Sequence, residues 1–208
     1  MAGRKPNIRR SAVQARSRAT VERILEAATE LLCKEGPDAV TMTAIAKKAN
    51  VVIGSLYQYF SDKSEIMKAI LARHNADVDT MVREGISNLK TVDEFLNAMD
   101  RLAEAYFELH RTNPLYKSLW SAVQTDQALQ ALDVEDTLRK ARIAFAVAKP
   151  LYRRVDEAEL MATCAFVMQT ALTAARFAIA IPRPLGKRTL GIYQRMSRGL
   201  FLELGRTK

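Results

Sequence analysis

Apolar residues recur at three- and four-residue intervals along almost the whole chain, and no stretch alternates with the period of two that a half-buried strand requires. The pattern therefore predicts an all-α protein. Val21, Ile24, Leu25, Ala28, Leu31 and Leu32 trace a stripe on a helix from Arg18 to Glu35, ended by Gly36 and Pro37. Met42, Ile45, Ala46 and Ala49 mark a shorter helix with a narrow apolar face, for which Thr41 is a good N-cap. Asn50 tolerates positive φ, and Val51 supplies an apolar plug for the turn that follows. A second short helix beginning near Val52 puts Leu56 and Phe60 on one face and distributes Gly54, Ser55, Tyr57, Gln58 and Tyr59 around the rest. Asp62 and Glu65 have the spacing of a capping box, which sets Lys63 in the first turn of a fourth helix. A bracing helix, a tight turn and an offered helix make the layout of a helix-turn-helix.

The remaining pattern is helical throughout. The fourth helix, about Lys63 to Glu84, is long enough to join this head to a separate body, and Gly85 marks its end. Stripes follow over 92–110, over a short segment opened by Pro114, and from Asp126, a capping residue, to about Val147. Glu157 to Ile181 is apolar on nearly every side, and Pro182 and Pro184 are expected to bracket a turn before a last run through Leu190, Tyr193, Leu200 and Leu204. A helix apolar all round must be covered all round. One chain of this length has few elements left to do that, so a second copy is expected: a homodimer pairing its last two helices as an antiparallel four-helix bundle. The expected divisions are a basic flexible arm over 1–17, a three-helix helix-turn-helix domain over 18–66 and a larger helical domain over 67–208.

Charge narrows the partner. The 208 residues carry a formal net charge of +9, which favours nucleic acid or an acidic membrane surface. Residues 1–63 hold 11 Lys and Arg against 6 Asp and Glu, more than half of that surplus in under a third of the chain. Arg4, Lys5, Arg9, Arg10 and Arg16 suit an arm, solvated when free, that lies along DNA phosphates or reaches the minor groove on docking. Cys33 and Cys164 sit in apolar helical patterns as small buried hydrophobes, and His74 and His110 lack partners at ligand spacing, so no metal is expected. No nucleophilic setting or glycine-rich phosphate loop is present, which argues against an enzyme and a cofactor. No signal peptide is visible, and Leu160 to Ile181, interrupted by Gln169 and Arg176, is a poor match to a membrane span, so a cytoplasmic protein is expected. The alternative is a non-catalytic basic helical adaptor for an acidic protein or membrane surface. Against it stand the tyrosine–lysine arrangement after the turn and the lack of a single basic amphipathic helix.

The string Ala46-Lys47-Lys48-Ala49-Asn50-Val51, followed by Ile53-Gly54-Ser55-Leu56-Tyr57-Gln58-Tyr59-Phe60 and Asp62-Lys63, closely resembles the DNA-binding signature of TetR-family transcriptional regulators. The resemblance covers about the first third of the chain. It implies a recognition helix over about Val52 to Tyr59 lying in the major groove. Residue chemistry agrees: Tyr57, Tyr59 and Lys63 suit phosphates, as do the hydroxyls or backbone of Thr41 and Thr43, while Ser55, Ile53, Gln58 and Lys48 are candidates to read bases and Gly54 leaves room for close approach. One position departs from the family pattern: Val52 stands where a serine commonly caps the recognition helix and touches phosphate. The resemblance further implies a dimeric repressor on a palindromic double-stranded operator, released by a small-molecule effector bound among the body's helices. Tyr106, Phe107, His110, Trp120, Gln124, Phe145 and Met168 are the expected lining, with Arg176 facing either an anionic ligand or an acid across the dimer.

Overall fold

The computed structural model describes residues 8–206, and every regular element among them is a helix. The chain runs α1 (Ile8–Glu35), α2 (Met42–Lys48), α3 (Ile53–Tyr59), α4 (Lys63–Gly85), α5 (Val92–Thr112), α6 (Pro114–Thr125), α7 (Gln127–Ala148), α8 (Glu157–Ala180) and α9 (Arg183–Leu204), with a short 3-10 turn at Pro37–Ala39. It divides into two compact units. The first holds the described residues up to Ala72 together with Ser118–Leu129; the second holds Arg73–Lys117 and the described residues from Gln130 onward.

In the first unit the stripe of α1 meets the helix-turn-helix. Ile24, Ala28 and Leu32 are fully buried with Val40, Ile45, Leu56 and Ile66, and Ala46, Ala49 and Phe60 close the same core. Gly36 ends α1 at a φ of 85°, a backbone state that suits glycine because it carries no Cβ. Helix α1 begins ten residues before the expected Arg18. Between Pro6 and Gly36 no glycine or proline interrupts the chain, and the alanines, arginines and glutamine of Ser11 to Ala19 are strong helix formers that need no buried face. Arg9, Arg10 and Arg16 are thus helical, whereas Arg4 and Lys5 lie outside the described residues.

The second unit packs α5, α8 and α9 together with parts of α4 and α7. Phe95, Leu160, Val167 and Phe201 lie at its centre, the two phenylalanine rings edge to face at 5.1 Å. Polar ties fix the register: Tyr193 Oη donates to the Val167 carbonyl at 3.0 Å, and Arg198 reaches the Asp100 carboxylate at 2.8 Å. The expected turn between Pro182 and Pro184 is not a turn. Pro184 sits in the first turn of α9, where a missing N–H costs nothing and a fixed φ is already helical.

Helix α8 is long and apolar enough to cross a membrane by length and composition alone, a property that core helices share, and its polar Gln169 and Arg176 stay within it. Asp156 caps it through the Ala158 and Glu159 amides, and Leu160, Cys164, Val167, Ala175 and Ala178 are buried within the unit. Most of the helix is not buried in the single chain. Phe166 and Phe177 on α8 and Leu185, Ile192 and Met196 on α9 face outward.

Candidate nucleic-acid interface

Helix α2 starts at an extended Thr41 whose Oγ1 accepts from the Ala44 amide at 3.2 Å, so the cap expected from sequence is formed. Asn50 takes a φ of 51°, and the Val51 amide turns back to the Ala46 carbonyl at 3.0 Å. This left-handed residue lets two seven-residue helices meet at an angle without a glycine. Helix α3 is held by one side only: Leu56 is fully buried and Phe60 nearly so. Its other face is open, with Val52 74%, Ile53 41% and Tyr57 54% exposed beside exposed Gly54 and Gln58, while Ser55 and Tyr59 are half-buried. A Cβ built on Gly54 meets nothing within 4 Å, so no neighbour inside the protein requires glycine there.

Thr41 and Thr43 are exposed at the start of α2, next to this face in sequence. Two of the expected DNA-contacting lysines have partners of their own. Lys48 pairs with Glu30 of α1 at 2.9 Å, and Lys34 shares that carboxylate, which the two ammonium groups hold below the usual carboxylate range. Lys63 donates to the Pro37 carbonyl at 2.5 Å and so ties the start of α4 to the 3-10 turn. That bond uses one of three ammonium hydrogens, so the charge and two donors stay available to a phosphate. Asp62 accepts from the Glu65 amide at 2.9 Å, fixing the first turn in which Lys63 stands. Val52 occupies the N-cap of α3 without a side-chain bond to the helix.

The residues expected to line an effector site fall in both units. Trp120 and Gln124 belong to the first unit and the others to the second. Phe107 packs with Ala175 and Ala178, Phe145 and Met168 lean on the main core, and Tyr106 packs against both, with the Lys149 ammonium 5.9 Å from the Phe145 ring centre. Tyr106 and His110 do come together, at 4.1 Å between rings, and are joined by two residues that sequence reasoning passed over: Tyr116 at 4.1 Å from His110 and His74 at 4.0 Å from Tyr116. His74 continues the α4 stripe from Met67, Ile70 and Leu71 to Val78, a signal readable in the sequence.

His110 Nδ1 lies 2.8 Å from the Tyr106 carbonyl. Burial brings the His110 imidazole down to about 4 and the His74 imidazole down to about 3, the latter aided by the charges of His110 and Lys140. Both are therefore neutral near pH 7 and present ring faces without charge. Asp133 of α7 has its carboxyl raised by burial and by Asp136; its charge acts on Arg176 and supports the guanidinium against its own desolvation. Arg139 bonds Asp79 at 2.6 Å and also pairs with Asp136, and buried Lys140 pairs with Asp136 and lies 3.5 Å from Asp79. This network ties α4 to α7.

Two family descriptions match the chain. Residues 24–70 match "Bacterial regulatory proteins, tetR family", the segment that holds the helix-turn-helix, and residues 93–202 match "Tetracyclin repressor-like, C-terminal domain", more than half of the chain. The chain belongs to the TetR family. Among curated TetR-type relatives, the transcriptional repressor KstR of Rhodococcus jostii is 41% identical over 59 residues, which is 28% of each protein. The match to that relative thus spans little more than a quarter of its length. Likeness to solved structures is broader: a TetR-family regulator from Streptomyces coelicolor superposes with a TM-score of 0.66 at 20% identity, covering 89% of this chain and 99% of that one. SmeT, the repressor of the Stenotrophomonas maltophilia multidrug efflux pump SmeDEF, gives a TM-score of 0.66 at 19% identity over 87% of this chain and 89% of its own. At such identities the TetR fold is what is shared.

Proposed function

We propose that the chain is a cytoplasmic, non-catalytic, ligand-responsive repressor that binds a palindromic DNA operator as a homodimer and leaves it when a small-molecule effector binds the second unit. The observation that carries the reading is α3: a helix anchored by Leu56 and Phe60 whose opposite face is offered to solvent next to exposed threonines and lysines. In this reading Tyr57, Tyr59, Lys63, Thr41 and Thr43 position the duplex, while Ile53, Ser55, Gln58 and Lys48 face base edges and Gly54 admits close approach. Lys48 would exchange Glu30 for DNA on binding.

The outward apolar residues of α8 and α9 support pairing of two copies through those helices, which also accounts for an apolar helix little buried in one chain. The effector is expected at the group of His74, Tyr106, His110 and Tyr116, uncharged rings with Asp133 and Arg176 as the polar groups that orient a ligand. To release DNA it must bind the DNA-incompetent arrangement of the dimer more tightly than the competent one. Binding of the purified protein to DNA flanking its own gene, measured across salt concentrations, tests the reading. A discrete footprint with a steep loss of affinity in salt is expected; equal affinity for every duplex would remove the operator.

A further inference from the structure

The open face of α3 is more apolar than a surface needs. Val52 is 74% exposed and Ile53 41% exposed, adjacent residues that stand outside the buried core of their unit. Val52 also gives its helix no cap: the side chain makes no bond, and only its carbonyl serves α3, accepting from the Ser55 and Leu56 amides at 2.8 and 3.1 Å. Gly54 beside them clears the same side of the helix, since a Cβ there would meet only open space. Lys47 and Lys48, the second paired with Glu30, stand exposed one short turn before in the chain, so a complementary surface that draws Lys48 from Glu30 is anionic at its rim and apolar at the point of contact.

In the major groove one base offers an apolar group, thymine, through its C5-methyl. We infer that Val52 and Ile53 read thymine methyl groups, so that this protein's operator half-sites are fixed at one or two positions by a methyl contact and not by a hydrogen bond. The inference rests on the DNA-reading function proposed above. It assigns Val52, which lacks the hydroxyl for a cap or a phosphate bond, a role in base selection, and it makes the apolar chemistry of Ile53 its means of reading.

The full-length protein is used to select operators from a random duplex library, and each thymine of the selected site is then replaced in turn by deoxyuridine. That change removes the C5-methyl and leaves pairing and the O4 acceptor intact. At one or two positions per half-site deoxyuridine should weaken binding about fourfold, the worth of burying one methyl, with little effect elsewhere. Val52→Ala and Ile53→Ala should each bind the thymine operator more weakly and lose the difference between thymine and deoxyuridine at one position. Gln58→Ala, which alters a polar reader on the same face, should keep that difference. A selected operator insensitive to every deoxyuridine replacement overturns the inference and leaves the DNA-reading function standing. So does a methyl preference that survives both alanine variants. If no sequence is enriched, the DNA-reading function fails and takes the inference with it.

Discussion

Val52 has a consequence for its own helix that is separate from the base-reading role inferred for it. As an N-cap with no side-chain bond it leaves α3 short of an acceptor for its first amides. Because the side chain is exposed, Val52→Ser removes no packing and adds that acceptor, so stability should rise by about 1 kcal/mol, read as a higher Tm. The neutral histidines yield a pH dependence. An unfolded histidine takes up its proton near 6.5, whereas His110 when folded does so near 4 and His74 near 3. Their contribution to stability is therefore complete above pH 6.5 and is lost as pH falls toward 4, because the unfolded chain binds protons that the folded one refuses. Asp133 and Asp136, whose folded carboxyls are raised, act in the opposite sense. The His110→Gln variant isolates the first effect: its unfolding free energy, followed by denaturant titration, should fall less steeply than that of the native chain between pH 6.5 and 4.

At the scale of elements, the hairpin of α8 and α9 depends on one missing atom. A Cβ on Gly186 would lie 2.2 Å from the Ala178 carbonyl oxygen, a backbone atom that cannot step aside as a side chain can. Gly186→Ala should force the two helices apart at that point and cost about 1–3 kcal/mol. Gly191→Ala, where the nearest neighbour is the far end of Arg195 at 3.5 Å, should instead stabilise α9 by about 0.5–1 kcal/mol. The two thermal melts side by side distinguish close approach from helix propensity. The tie between α4 and α7 is electrostatic: Asp136 and Lys140 are buried together, with Arg139 and Asp79 completing the set. Asp136→Ala would leave a buried ammonium without its main partner and should cost roughly 3–5 kcal/mol, seen as a lower denaturant midpoint with an unchanged slope.

For the whole molecule the proposed pairing of two copies turns on the outward face of α8 and α9. Phe166 and Phe177 on one helix and Leu185, Ile192 and Met196 on the other are exposed apolar residues of the single chain, the kind of side chain that pairing would cover. Phe166→Glu combined with Ile192→Glu should convert a dimer to a monomer in sedimentation and abolish operator footprinting, while far-UV helicity stays near that of the native chain. A dimer that persists with both charges in place would show that the copies pair elsewhere. The two lobes of an operator are read together only if two copies of α3 are held at a fixed spacing, so loss of the pair should cost far more affinity than loss of any single side chain on α3.

Much of this was written in local chemistry. The period of the apolar residues identifies helices because each buried stripe must recur every 3.6 residues, Thr41, Asp62 and Asp126 accept from amides a few positions away, and Asn50 takes a left-handed φ of its own, so caps and turn follow from local chemistry. Helix α1 ran past its stripe for the complementary reason: propensity can extend a helix that packing does not require, and a reading keyed to buried positions stops where burial stops. Pro184 shows the same boundary, since a proline ends one helix or starts the next depending on which amides are free. What the sequence alone could not determine are meetings between distant residues. His74 and Tyr116 join Tyr106 and His110, Asp79 meets Arg139, and Gly186 touches Ala178 only because the helices carrying them pack at particular offsets. Those offsets are set by the sum of many weak contacts, and no single residue spells them out.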